Sequence, residues 1–455
     1  MKSQTFAKLF STAVIGFFCI DLLGNIRAQT VPEMSQKPPV PPNSVRLSVD
    51  TPLEEIYEYQ EFFKDINNQP QVQLASPKTA YLWQHMSRIL RTAMILRDGQ
   101  ISELPVKIDP AVGALKFEHK QKGKETLNEH FAKYPMDAAI VIHKGTIVHE
   151  TYKTMRPFDK HNWFSSGKVI PSTLIALLEE EGKVDVKKPV SFYITELKGS
   201  NWDTVSVLEA LNMSTGLDST EHDEPMDDSR TNPERGWFQW AVSLGLFPDV
   251  KQRNQTPFQV LGQMQRRKPG NTAFEYNSIN TWVLEIIVER VSGKPLNEFF
   301  GDRIWRKIGA QSDAYVAVTP DGYPLTFGMV SSNLRDLARF GLIFSPSWNK
   351  VSKKRIVSNR LLNKIQRGGN PAIFAKGHFG QELLGIVYDK KLSNSYQWDV
   401  VFQDGDFYKE GVGGQGLYVS PSRDLVIAWF STGKNGELGV ARAIATSSIF
   451  SRDRR

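Results

Sequence analysis

Between Ala138 and Tyr152, in AAIVIHKGTIVHETY, two β-rich runs flank Lys144-Gly145, and that alternation predicts a hairpin. The period then changes. Ile170, Leu174, Leu177 and Leu178 follow the i, i+4, i+7, i+8 rhythm of a helix buried on one face, running from about Phe164 to a stop at Gly182. Pro171 lacks the N–H that would bond the Gly167 carbonyl, so a kink is expected after the first turn. A second helical stripe, Trp282, Val283, Ile286, Ile287 and Val291, ends at Gly293. Near the end, GQGLYVSPSRDLVIAWFSTG reads as two strands joined by a turn at Pro421-Ser422-Arg423-Asp424, followed by a closing helix in ELGVARAIATSSIF. Further upstream, TAYLWQHMSRILRTAMIL reads as an amphipathic helix, and residues 195–330 are mainly helical in pattern, broken by polar loops. Strands at both ends with helices between predict an α+β fold: an antiparallel sheet built from the two chain ends, flanked by helices, with a helical subdomain inserted over 195–330.

Composition narrows the class. The 455 residues are 40% hydrophobic and 23% charged, an ordinary globular balance with enough chain for a sizeable core. Lys2 and Lys8, an apolar stretch interrupted by Asp21, and the small residue Ala28 read as a secretory signal over 1–28 rather than a retained anchor, which places the protein in the periplasm or outside the cell. A proline-rich linker and an extension of unassigned role occupy 29–125, and the main domain spans 126–450. Cys19 lies inside the signal, so the mature chain is expected to have no thiol, disulfide or cysteine metal site, and no stable membrane span is expected once the signal is cleaved. The net charge of +7 loses three basic residues and one acidic residue with the signal, leaving +5. Apart from RRK at 266–268 the basic residues are interspersed with acids, which argues against a nucleic-acid partner.

Ser165 and Lys168, in FSSGK, stand three apart at a helix start, close enough for the amine to reach the hydroxyl. Lysine can take a serine's proton once burial or a neighbouring cation lowers its pKa. On spacing alone, a capping serine beside a solvated lysine is the better fit, and Ser347…Lys350 and Ser431…Lys434 repeat the pattern. Tyr276 sits just ahead of the second buried helix, and Gly411, Gly413 and Gly414 precede a strand where a close approach is expected. Glu221, His222, Asp223, Glu224, Asp227 and Asp228 crowd one segment without ligand spacing, so a solvated loop is expected there and no metal site. Trp237 and Trp240 suit either a cleft wall or a packed core, and Glu179-Glu180-Glu181 reads as a solvated helix end. No Gly-x-Ser-x-Gly elbow, His-Glu-x-x-His helix or phosphate-binding loop occurs.

Taken in order, AAIVIHKGTIVHETY, FSSGK, EEEGKVDVKKPV, LNMSTGL, FEYNSINTWVLEIIVERVSGKPLNEFF, RIWRKIGAQSDA, SSNLRDLARFG and GVGGQGLYVSPSRDLVIAWF resemble the serine β-lactamase and penicillin-binding-protein superfamily, in its class C-like esterase branch and its 6-aminohexanoate-dimer hydrolase type. The resemblance covers about residues 135–435. It implies a β-lactamase/transpeptidase-like fold and a cofactor-independent serine hydrolase, a carboxylesterase or amidase whose partner is a small ester or amide. Ser165 would be the nucleophile, Lys168 its proton acceptor, and Tyr276 the group that shares the proton and delivers it to the leaving group. The backbone N–H groups of Ser165 and Gln415 would form the oxyanion hole. Two departures stand out. Ser278 falls where the family has asparagine, and Val412-Gly413-Gly414 falls where it has Lys-Thr-Gly, so the cation that grips a β-lactam carboxylate is expected to be absent. Esters or linear amides are then favoured over β-lactams. A DD-peptidase acting on peptidoglycan peptides, or a non-catalytic ligand-binding protein of the same fold, are the alternatives.

Overall fold

The computed structural model describes residues 46–450 except 69–70, 72–73, 121–122, 222–227 and 434–436. The signal and most of the linker therefore lie outside the described residues, as do His222, Asp223, Glu224 and Asp227. In chain order the strands are β1 (Thr92–Ile95), a hairpin of β2 (Lys116–His119) and β3 (Gly123–Thr126), then β4 (Met136–His143), β5 (Thr146–Tyr152), β6 (His161–Asn162), β7 (Ala314–Ala317) and β8 (Val330–Ser332). Five more follow: β9 (Leu392–Ser395), β10 (Trp398–Phe402), β11 (Phe407–Glu410), β12 (Gly416–Ser420) and β13 (Leu425–Ser431).

The main sheet has the order β5-β4-β13-β12-β11-β10-β9 and every pairing in it is antiparallel. It joins the two ends of the main domain as expected, with Ala138 opposite Phe430 where β4 meets β13. Lys144 and Gly145, with φ of 50° and 72°, put both central residues of the β4–β5 turn in the left-handed region that a tight hairpin needs. Side chains alternate across the sheet and divide the core in two. Ile140, Ile142, Val426 and Ala428 pack with Leu334, Leu337 and Phe340 of the Leu334–Leu342 helix. Ala139, Val141, Ile427 and Trp429 pack instead with Leu438, Ala441 and Ile444 of the Leu438–Thr446 helix. The first of these cores continues through Trp202, Trp240 and Trp282, so residues 195–330 share it.

Two expectations about helices change. Residues 79–96 are not one helix: Pro77–Gln84 is helical, capped by a reciprocal Ser76–Thr79 box, Met86–Arg88 makes a 3₁₀ turn, and Thr92–Ile95 is the strand β1. The ladder between β1 and β7 supplies hydrogen-bond partners that override local helical propensity. Together with β8 and β6 these strands form a small second sheet. Nor does Pro171 kink its helix. The segment begins as a 3₁₀ turn, Phe164–Lys168, and the α-helix runs uninterrupted from Val169 to Glu180, which leaves Pro171 in the first turn where its N–H would have no intrahelical acceptor.

The three glutamates ending that helix are engaged rather than simply solvated. Glu179 accepts from Tyr396 Oη at 3.0 Å and pairs with Lys364, while Glu180 accepts from Ser358 and Glu181 pairs with Arg303 and Lys183. The two other Ser-x-x-Lys matches are structural. Ser347 Oγ donates to Asp424 at 2.6 Å beside the β12–β13 turn, and Ser431 Oγ donates to the Pro135 carbonyl at 2.8 Å. Among the described residues no helix is long and apolar enough to cross a membrane.

Candidate active site

Ser165 lies on the 3₁₀ turn that follows β6, one residue after a backbone conformation that is costly for a side chain. Phe164 has φ of 46°, in the left-handed region, and such strain persists only where the surroundings over-determine it. Here they do. Trp163, fully buried, donates its N–H to Val330 O at 2.7 Å and its Nε1 to Ser332 Oγ at 2.8 Å, and the Phe164 ring meets Trp83 edge-on at 4.5 Å. Two close approaches require glycine. A methyl group at Gly167 would overlap the Thr326 carbonyl oxygen, and one at Gly411 would lie 2.7 Å from Trp163 O and 2.8 Å from Phe164 Cβ. The Thr326–Phe327 backbone and the end of β11 thus pack directly on the turn that carries Ser165.

Lys168 has no exposed surface. Its Nζ donates to Ser278 Oγ at 2.6 Å and to Phe327 O at 2.8 Å. Burial lowers its pKa from the ordinary lysine range to about 7, and the Lys409 cation pushes the same way against the opposing charges of Glu221, Asp399 and Glu285. A large share of Lys168 is therefore free base near neutral pH, as a general base requires. Ser278 takes over the lysine contact proposed for it because Asn277 is used elsewhere: it caps the Ser278–Ser292 helix by accepting from Ile279 N and donates to Ser219 O at 2.7 Å. Tyr276 is buried against Phe379, and burial, with Asp399 and Glu221, drives its pKa well above the usual phenol value while the Ser165 hydroxyl works the other way. The phenol stays protonated, suited to giving a proton rather than to taking the first one. Ser165, Lys168 and Ser278 line one cleft, and Tyr276 stands behind them in contact with Ser165.

Lys409 was not picked out from the sequence, and it places a buried cation beside Tyr276. On β11, its fully buried Nζ donates to Tyr276 Oη at 3.3 Å, lies 4.7 Å from that ring's centre, and forms a close ion pair with Asp399 of β10. Lys409-Glu410-Gly411 thus supplies a Lys-x-Gly pattern three residues upstream of Val412-Gly413-Gly414. Gln415, whose N–H was expected to face the oxyanion, stands outside the cleft lining. Its side chain is buried and donates to Ser431 O at 2.7 Å; Val412 does line the cleft, beside Ser165. Gly413 and Gly414 form the turn behind Val412, with Gly414 N donating to Gly411 O at 2.8 Å, and they too stand outside the cleft lining.

Glu221 is the other correction. Instead of belonging to a solvated loop it is 3% exposed, accepts from Ser278 N at 2.6 Å and pairs with Arg230 at 2.8 Å. Among the described residues no cluster of potential metal ligands occurs. The cleft encloses about 300 Å3, and its walls are mainly aromatic and aliphatic. Trp237 lines it, whereas Trp240 packs in the core against Phe327 and Trp282.

Because Lys168 must lose its proton before it can accept one, kcat/KM is expected to rise with pH through about 7 and then level. Lys409→Met removes a repelling cation, so the rise should move to higher pH, and the unpaired Asp399 should destabilise the protein by about 3–5 kcal/mol. A pH–rate profile and a urea unfolding curve for both proteins check this; an unmoved profile rules out the coupling.

Residues 125–448 match the family model described as Beta-lactamase. The chain is 27% identical over 364 residues to a 6-aminohexanoate-dimer hydrolase from Paenarthrobacter ureafaciens, covering 78% of this chain and 86% of that protein. Among solved structures it resembles a putative 6-aminohexanoate-dimer hydrolase from Bacillus anthracis, with a TM-score of 0.68, 22% identity, and coverage of 82% of this chain and 93% of that one. It also resembles a family VIII carboxylesterase, with a TM-score of 0.51, 15% identity, and coverage of 71% and 95%. With the family match extending over most of the chain, from β3 through the closing helix, this protein belongs to the beta-lactamase family and is a hydrolase of that family.

Proposed function

We propose that the protein hydrolyses a neutral ester or linear amide through a covalent acyl-enzyme on Ser165. The observation that carries this reading is the buried Lys168 amine, with a pKa of about 7, lining the same cleft as Ser165. Neutral Lys168 takes the Ser165 proton as Oγ attacks the substrate carbonyl, and the Ser165 N–H, with that of Val412 beside it, faces the developing oxyanion. The tetrahedral adduct collapses as the protonated Tyr276 phenol gives its proton to the leaving alcohol or amine, and Lys168 restores that proton. Water then attacks the acyl-enzyme, losing its proton along the same route, and Ser165 is regenerated.

Preference for neutral substrates over β-lactams now rests on a different basis from a missing lysine. Lys409 is present, but Asp399 neutralises it and it has no surface toward the cleft, so it is not free to bind a substrate carboxylate. The names of the relatives, a 6-aminohexanoate-dimer hydrolase and a carboxylesterase, agree with an amide or ester as the scissile bond. Export is part of the proposal and rests on residues 1–28.

Ser165→Ala should lower kcat by roughly four to six orders of magnitude while leaving the fold intact, and a fluorophosphonate probe should label Ser165 in the unaltered protein. An adduct on Ser347 or Ser431, or near-normal turnover by the variant, defeats the assignment. Protein recovered from outside the cytoplasm should begin at Gln29; material retained inside with Met1 intact contradicts export.

A further inference from the structure

The segment that precedes the family-matched region builds one wall of the cleft. It comprises the helices Leu53–Lys64 and Pro77–Gln84, the Met86–Arg88 turn and β1. Tyr59, Tyr81, Leu82, Trp83 and Met86 are buried in a small apolar cluster with Phe164, the residue that holds the strained backbone before the nucleophile. Val412 and Met329, on other sides of the cleft, pack against that same cluster. The segment is therefore anchored to the catalytic turn rather than draped over the surface.

Three of its side chains, Phe63, Trp83 and Leu90, face the cleft that holds Ser165. None carries a charge. Trp83 presents carbon, since its Nε1 is sealed from solvent. Of the cleft's polar groups, Lys168 is bonded to Ser278 and Glu221 to Arg230 across from this wall. A charged substrate arm lying along this wall would lose water and gain no partner, whereas a hydrocarbon arm would gain contact with three apolar side chains.

We infer that residues 53–90 form a hydrocarbon subsite beside Ser165, so that the substrates are neutral esters or amides bearing an unbranched apolar chain of several carbons next to the scissile bond. This rests on the hydrolase reading above. The subsite binds substrate and transition state alike, and each methylene moved from water onto the wall raises kcat/KM roughly fourfold until the cleft is filled.

Two ester series test it. The p-nitrophenyl esters from acetate to octanoate vary the acyl chain, and the alkyl acetates from ethyl to octyl vary the alcohol. At least one series should climb steeply with length, and the longest-to-shortest ratio should fall roughly tenfold or more in Phe63→Ala and in Leu90→Ala, both altered at half-buried positions. Leu90→Trp, which fills the wall, should move the optimum to shorter chains. Flat profiles in both series, or slopes that all three variants leave unchanged, overturn the subsite. Fluorophosphonate labelling of Ser165 in every protein separates the two readings: labelling with flat profiles sinks the subsite alone, and no labelling of the unaltered protein sinks the hydrolase reading and the subsite with it.

Discussion

A lysine amine with no exposed surface, held by one hydroxyl and one carbonyl, is the constraint around which this site is built. In water an ammonium is strongly favoured; taken out of water with only two neutral partners, it is not. Each partner needs its own support. Ser278 stays in place because Glu221 accepts its N–H and Asn277 caps the helix that it opens. Phe327 O is presented by a segment that Glu285 grips, accepting from Thr326 Oγ1 at 2.7 Å. Glu285 is itself fully buried, and burial drives its pKa well above the usual carboxyl range, which weakens the charge it sets against the burial of the lysine. Gly167 allows the two backbones to meet at all.

Cations and anions behind the site are arranged to the same end. Lys409 repels a proton on Lys168 and hydrogen-bonds the Tyr276 phenol, while Asp399 prevents Lys409 from standing as an isolated charge. Burial, with Asp399 and Glu221, keeps the Tyr276 phenol protonated, while burial and Lys409 leave Lys168 largely neutral, which suits one to giving a proton and the other to accepting one.

Much of this was legible in local patterns. Period and turn chemistry predicted the β4–β5 hairpin, the β12–β13 pair and the two helices that follow Lys168 and Tyr276, because each is decided within about twenty residues of chain. Three things were not legible because they depend on distant partners. Thr92–Ile95 becomes a strand through pairing with residues more than two hundred positions away. Glu221 looked solvated because its partners, Ser278 and Arg230, are brought to it by folding. Lys409 carried no local signal, because its place beside Tyr276 depends on a residue more than a hundred positions upstream. Pro171 shows the reverse case, where the residue was read correctly and the position of the helix start changed its consequence.

The central claim is that Lys168 is largely uncharged at neutral pH in the resting protein, and the most direct measurement is an NMR titration of lysine side chains labelled at Cε and Nζ, with the Lys168 signal identified by its loss in Lys168→Met. A midpoint near 7 is predicted. A midpoint close to that of a free lysine, about 10.4, would contradict the account, because a lysine charged throughout the neutral range could not act as the base for Ser165.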